Sequence, residues 1–422
     1  MLICSDGYAL SNGEIRHFLS RTGFSLEAGK PLSPQTLTRE QLVHDTVCSD
    51  PAVVPPLVLT PAEYILNPNE SQQEKRLRRQ AGWRIRAWWV SSLLNSRTPI
   101  HEKMHLFWND LFSVSFRKVK NPQLYYQFQS QLKALAMTDL KQILTMAINS
   151  PAVLLNLDAG EKHFYGNNEN LAREFLELYT VGDGHFSEQD VRTLTELFTA
   201  WRIDIYTARF SKQPVNRQAV FFDRTITLND RNIVEAILSH PQTSRLLIKR
   251  LWRYFVSPEP DPVLVEKLSR EFRESGFQIK PLLESMFLTD TFWDTGNRAT
   301  LIKSPVELLI GTIQSLDTLV PSLVSVARLL RELGQDLIVP PGVNGWPENS
   351  RWITSGSLAR RQKMLRKAAD EWSARNPLSS TRKADIESWA ERLLLLEPAV
   401  RPDADKSSGL GEVLLDPVYQ LK

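Results

Sequence analysis

The sequence predicts an all-α protein, with at most one short β-hairpin near residues 203–228. Three observations carry this. Apolar residues recur at helical spacing along nearly the whole chain, several helix starts pair a capping residue with proline, and strand-like alternation is confined to one stretch.

Taken in order, prolines break the chain between Pro51 and Pro61. Leu77, Ala81, Ile85, Trp88 and Trp89 then form an inward stripe, leaving the nearby cations on a solvated face. Thr98 is placed as an N-cap with Pro99 at the first helical position, where its missing N–H costs nothing. Ile100, Met104, Phe107, Trp108 and Leu111 follow on one stripe. A helix over 168–180 is closed by Gly182 and Gly184, and Ser187 opens the next through Leu194 and Phe198. The hairpin is expected around Ile205-Tyr206 and 219–222. Asp261-Pro262 opens a helix with Leu264, Leu268 and Phe272 on one face and Gly276 as its stop. Ser304-Pro305-Val306-Glu307 is a capping box, and Pro340-Pro341-Gly342 ends the helical run before a turn around Trp346 and Trp352. The total is roughly fifteen helices, far above the usual helical share.

An internal echo is visible. Leu140-Lys141-x-Ile143-Leu144 resembles Ile279-Lys280-x-Leu282-Leu283 at an offset of 139 residues. It hints at two lobes on a continuous core, over 14–204 and 229–360. A tail over 361–422 follows, helical with a surface loop. Around its start the chain is basic (Arg360, Arg361, Lys363, Arg366, Lys367).

Composition narrows the class. The 422 residues are 42% hydrophobic and 23% charged, and the net charge is 51 − 48 = +3. These values exclude a disordered tail, a collagen and a dedicated nucleic-acid coat. No apolar run reaches the ~20 residues of a membrane helix. The first twenty residues lack a basic segment followed by an apolar one, so a cytoplasmic location is expected. Two cysteines, Cys4 and Cys48, allow at most one bridge, which fits a reducing compartment.

Three stretches hold chemistry. His101-Glu102-Lys103-Met104-His105 satisfies H-E-x-x-H. On a helix, two histidines four apart can grip Zn²⁺, with Glu102 as base for a bound water and Glu169 or Glu174 as a third ligand. With seven histidines in the chain, chance gives this pattern in roughly one such sequence in a hundred. Opposing it, a zinc peptidase helix normally follows a β-sheet, and Arg173 stands where an acidic residue that orients a metal ligand is usual. The second stretch is the polar face Asn170, Arg173 and Glu174, with Asp158 and His163 in the loop before it, which could hold a small polar or carbohydrate-like ligand. Its plain alternative is a set of i,i+4 ion pairs, Glu169–Arg173–Glu177, on a solvated face. The third is the basic, aromatic run from Lys75 to Trp89, the pattern of single-strand binding. Its inward apolar stripe argues against nucleic acid. Gly345-Trp346-Pro347 reads as a structural clasp able to line a pocket. No phosphate loop, dinucleotide turn, C-x-x-C pair or G-x-S-x-G elbow occurs.

Longer motifs resemble a known family. Glu102-Lys103-Met104 with Leu106-Phe107-Trp108, residues 168–178, and Glu188-Gln189-Asp190-Val191 with Trp201 are similar to the bacterial family of domains of unknown function 1800 (DUF1800). So are residues 251–256, 303–308, Gly345-Trp346-Pro347 with Trp352, and the flanking stretches 17–24 and 416–421. The likeness covers nearly the whole chain. It implies a helical architecture and a partner related to sulfatases and phosphatases, and no particular reaction. The sequence departs from the family at Asn109 and Leu111, where histidines are usual, and at Phe221-Phe222-Asp223-Arg224, where a His-Asp-x-Gly stretch is usual. The export signal common in the family is missing, and the family pattern does not demand His101 or His105. The resulting expectation is a soluble accessory or binding protein acting with a sulfatase- or phosphatase-like partner, with no cofactor established. The alternative is a zinc hydrolase.

Overall fold

The computed structural model describes residues 9–26, 37–51, 55–67, 69–157, 163–164 (backbone), 169–317, 322–376, 383–399 and 409–422. Among these lie twenty-one α-helices. The surplus over roughly fifteen includes single turns such as Pro61–Tyr64, Phe116–Val119 and Asp290–Trp293, too short to display a 3.6-residue period.

The capping signals work largely as read. Ser304 and Glu307 form the capping box of helix Pro305–Leu316, Asp261 caps Pro262–Glu274, and Ser187 caps Glu188–Thr199. Gly182 and Gly276 lie at positive φ just past helix ends, the conformation that favours glycine there. Thr98 precedes helix Pro99–Phe112, but its side chain does not make the capping bond.

Pro99–Phe112 is the central element. Its apolar stripe is buried as expected, and so is nearly all of its opposite face: Glu102, Lys103, His105 and Asn109. Helices Gln72–Asn95, Pro122–Leu135 and Glu169–Tyr179 pack around it. A helix enclosed on all sides finds partners for its polar groups within the protein, although Glu102 Oε2 and His105 Nδ1 are buried without a hydrogen bond. In Gln72–Asn95 the inward stripe is buried at Ala81, Ile85 and Trp89. Arg86 joins it, held by Asp336 through two bonds of 2.7 and 2.8 Å.

The echo at an offset of 139 becomes a reciprocal contact. Its two copies are the nine-residue helices Leu140–Ile148 and Ile279–Phe287. They start side by side, with Asp139 bridged to Gln278. The N–H of Leu140 donates to the Phe277 carbonyl at 3.0 Å, and that of Ile279 donates to Thr138 at 2.8 Å. Adding 139 to 138 and 140 gives 277 and 279, so each bond is the other's image. This is the self-complementary contact of a local two-fold axis.

The region read as one hairpin holds two. Trp201–Asp204 pairs antiparallel with Arg209–Lys212, and His163–Phe164 adds to the first of these. Gln218–Phe221 pairs with Arg224–Thr227. Phe222 and Asp223 both have positive φ, the backbone of a two-residue hairpin turn usually given to Asn-Gly. Here the Asp190 carboxylate accepts the Phe222 N–H at 2.5 Å, so a tertiary contact holds a turn that its own residues do not announce.

Buried apolar side chains from Leu10 to Tyr419 form a single cluster. Near its far end, Leu421 bridges Ile302, and the Lys422 N–H donates to Leu301 at 2.7 Å.

Candidate functional site

A cavity of about 450 Å³ opens where four segments meet. Helix Pro99–Phe112 contributes Phe107, Asp110 and Leu111. Helix Pro241–Phe255 contributes Leu246, Lys249, Arg250, Arg253 and Tyr254, whose spacing of three and four residues puts them on one face. Ser304 and Glu307 come from the start of helix Pro305–Leu316. The loop 344–352 brings Trp346, Glu348, Arg351 and Trp352, and Lys422 completes the floor. The volume is that of a small-molecule site.

The loop is fixed to the wall by one residue. Asp110 accepts the Trp346 N–H at 2.7 Å. Gly345 sits at φ +79° directly against it, and a Cβ there would lie 2.2 Å from the Asp110 carboxylate oxygen. Glycine is required both for the conformation and for the close approach. Burial pushes the Asp110 carboxyl up to about 7, and Glu348 pushes the same way, while Trp346 and Arg250 oppose. It therefore changes charge near neutrality, able to donate or accept a hydrogen bond. The Trp346 indole N–H is buried without a partner.

The floor is an ionic cluster. One Glu307 oxygen accepts from Lys103 and, at 2.5 Å, from Lys422. The other takes the Ser304 N–H at 2.7 Å, so the capping residue of the helix is also the counter-ion of the cluster. Lys303 donates to the Tyr419 carbonyl at 2.8 Å, over that residue's ring. The Lys422 ammonium lies 5.0 Å from the Tyr254 ring centre. Arg21 and Arg361 are fully buried and each feels the Glu307 charge. Five buried cations (Arg21, Lys103, Lys303, Arg361, Lys422) thus face one carboxylate. Burial tends to raise the Glu307 pKa, but Lys103 and Lys422 outweigh it and hold the carboxyl far below its usual range. Burial draws Lys303 and Lys422 down to about 7, against the pull of Glu307.

The sequence-predicted residues lie elsewhere. The H-E-x-x-H stretch is helical, but its groups are committed to separate partners. His101 donates from Nε2 to the Ser49 carbonyl at 3.0 Å. His105 is fully buried, stacked on Trp89 with ring centres 4.3 Å apart, and pairs with Gln129 at 3.0 Å. Burial, with Lys133 nearby, holds its imidazole down to about 3. Glu102 accepts from Ser92 at 2.7 Å and is ion-paired with Lys133. Neither Glu169 nor Glu174 joins the histidines. Among the described residues, the group of three acidic, His or Cys side chains with ligand atoms mutually within 4.8 Å is His44, Cys48 and Glu284.

On the second candidate face, Asn170 donates to Glu174 at 3.0 Å. Arg173 pairs with Glu188 of the next helix at 2.7 Å, instead of the i,i+4 partners Glu169 and Glu177. One Glu174 oxygen is buried without a partner. Asp158 and the His163 side chain fall outside the described residues. In the basic run, Arg78 and Arg84 are paired with Glu70 and Glu63. Arg361, in the basic stretch that opens the tail, is interior. Cys48 is a free thiol, and Cys4 is outside the described residues. No described helix is long and apolar enough to cross a membrane.

Fold and cavity together define a class, an α-helical protein organised around a cation-walled pocket. The chain belongs to the family described as protein of unknown function (DUF1800), which it matches over residues 17–409. No curated protein and no solved structure matches it. Stretches that carried the resemblance (102–108, 251–256, 303–308 and 345–352) all line the cavity. The signal that could have found it was the cation spacing Lys249, Arg250, Arg253 beside Tyr254.

Proposed function

We propose that this protein binds an anionic small molecule in the cavity between helices Pro99–Phe112 and Pro241–Phe255. The observation that carries the reading is the charge of the lining. Lys249, Arg250, Arg253 and Arg351 outnumber Asp110 and Glu348 in the walls, while Glu307 in the floor is already neutralised by Lys103 and Lys422. Guanidinium groups suit carboxylate, phosphate or sulfate oxygens because their donors form a fork. The indoles of Trp346 and Trp352 and the ring of Tyr254 offer apolar surface for the body of the ligand.

The finer reading is an accessory role beside a sulfatase- or phosphatase-like partner, as the family resemblance implies. Such a partner acts on anionic monoesters, and this cavity is where the chain would hold one. Isothermal titration at low ionic strength tests the binding, with sugar phosphates, sugar sulfates and the matching neutral sugars. Anions should bind with an affinity that falls as salt rises. Loss of a charge-assisted bond costs about 1.5–3 kcal/mol, so Arg250→Ala or Arg253→Ala should weaken binding by about 10–100-fold. Equal binding of the neutral sugars, or no binding of any anion, would overturn the proposal.

A further inference from the structure

Away from the cavity, helix Arg39–Val47 and its C-cap carry His44 and Cys48 four residues apart, on the side facing helix Ile279–Phe287. From that second helix Glu284 reaches both. Its Oε1 lies 2.8 Å from His44 Nδ1 and 3.5 Å from Cys48 Sγ. All three ligand atoms lie within 4.8 Å of one another. We propose that His44, Cys48 and Glu284 form a binding site for a divalent transition ion of the zinc class, joining two helices about 240 residues apart in sequence.

The donor set fits that ion. Nitrogen, thiolate sulfur and carboxylate oxygen are zinc's usual ligands, at about 2.0–2.3 Å in a tetrahedron. Such bond lengths place neighbouring ligand atoms about 3.3–3.5 Å apart. The sulfur–oxygen separation already has this value. The nitrogen–oxygen edge must open by about half an ångström, and His44 has the freedom to do so, its side chain being 67% exposed. Three protein ligands leave a fourth position toward solvent, the arrangement that accepts water or an exogenous ligand.

Without an ion the surroundings of the Cys48 thiol disfavour its charged form. Burial raises its pKa, and the Glu284 and Asp45 charges act in the same direction, while Lys280 opposes. Binding an ion therefore expels the Cys48 proton as the sulfur–metal bond forms, and apparent affinity should rise with pH. Nothing in this site draws on the cavity or its ligand.

Cobalt(II) is the probe, added to the reduced 422-residue chain without oxygen. One equivalent should give the near-ultraviolet thiolate-to-cobalt band and the visible bands of a tetrahedral ion, both abolished by zinc. Cys48→Ser should remove the thiolate band, and Cys4→Ser should leave it. His44→Ala and Glu284→Gln should each weaken binding by at least the roughly 10–100-fold that loss of an outer-shell partner costs. His44 is exposed, so its variant should melt at the temperature of the apo protein. Absence of a thiolate band overturns the proposal. So does a band that survives Cys48→Ser, or one unaffected by both His44→Ala and Glu284→Gln, which would mean a lone thiol.

Discussion

Asp110 does two things at once. Its carboxylate ties down the loop through the Trp346 N–H, and it faces a cavity rich in cations. Its ordinary pKa near 3.9 in an unfolded chain becomes about 7 in the folded one. Between those values the native state holds a proton that the unfolded state has released, so this residue makes stability fall as pH rises from about 4 to about 7. Above 7 the cost is constant. Asparagine keeps an oxygen for the Trp346 N–H and has no charge to bury. Asp110→Asn should therefore be more stable than the native protein at pH 8.5, by about 1–2 kcal/mol, and nearly equal to it at pH 4. Urea unfolding at the two pH values measures this. A constant difference between variant and native protein would show that Asp110 stays ionised. Glu307 is the opposite case: burial acts against its charge, but two ammonium groups hold it ionised.

At the scale of elements, the loop 344–352 is a wall and a clasp together. Both Trp346 and Trp352 are buried against the protein, yet both line the cavity. Gly345→Ala places a methyl group on the Asp110 carboxylate and strains a left-handed backbone. The loop should lift from the wall at a cost of about 1–3 kcal/mol, weakening ligand affinity along with thermal stability. Binding that stayed native while the melting point fell would separate the loop from the site. Much of this architecture was legible beforehand. Proline at a first turn, Asp261 and Ser304 as caps, and Gly276 as a stop are local signals, set by a few neighbouring residues. The ion cluster was not legible, because Lys103 and Glu307 are 204 residues apart. Nothing near Lys103 in sequence says that it will be buried. His101 and His105 show the converse. Their spacing is that of a metal pair, but Ser49 and Gln129 occupy the rings, and these partners are invisible in a helical pattern.

For the whole molecule, buried neutral histidines set the acid limit. His17 and His105 are both held down to about 3, chiefly by burial, against about 6.5 in an unfolded chain. Below 6.5 the unfolded state takes up protons that the native state refuses, so stability falls with pH from about 6.5 toward 3. Asp110 pulls the other way over the upper part of this window, one group against two. A net loss on the order of 1–2 kcal/mol is expected between pH 6.5 and pH 5, before ordinary carboxylates titrate. Denaturant midpoints at those two pH values should show it, and a flat profile would mean that the rings are charged in the native state.

The return of residues 416–422 to the centre also bears on the order in which the molecule is made. Leu421 supplies the bridge to Ile302, and Lys422 supplies an ammonium to Glu307. While the ribosome is still translating the preceding hundred residues, Lys103 and Glu307 already exist but their surroundings are incomplete. Pairings so distant along the chain form slowly. The cavity floor thus cannot be complete before Lys422 has been made, and until then Glu307 lacks one of its two ammonium partners.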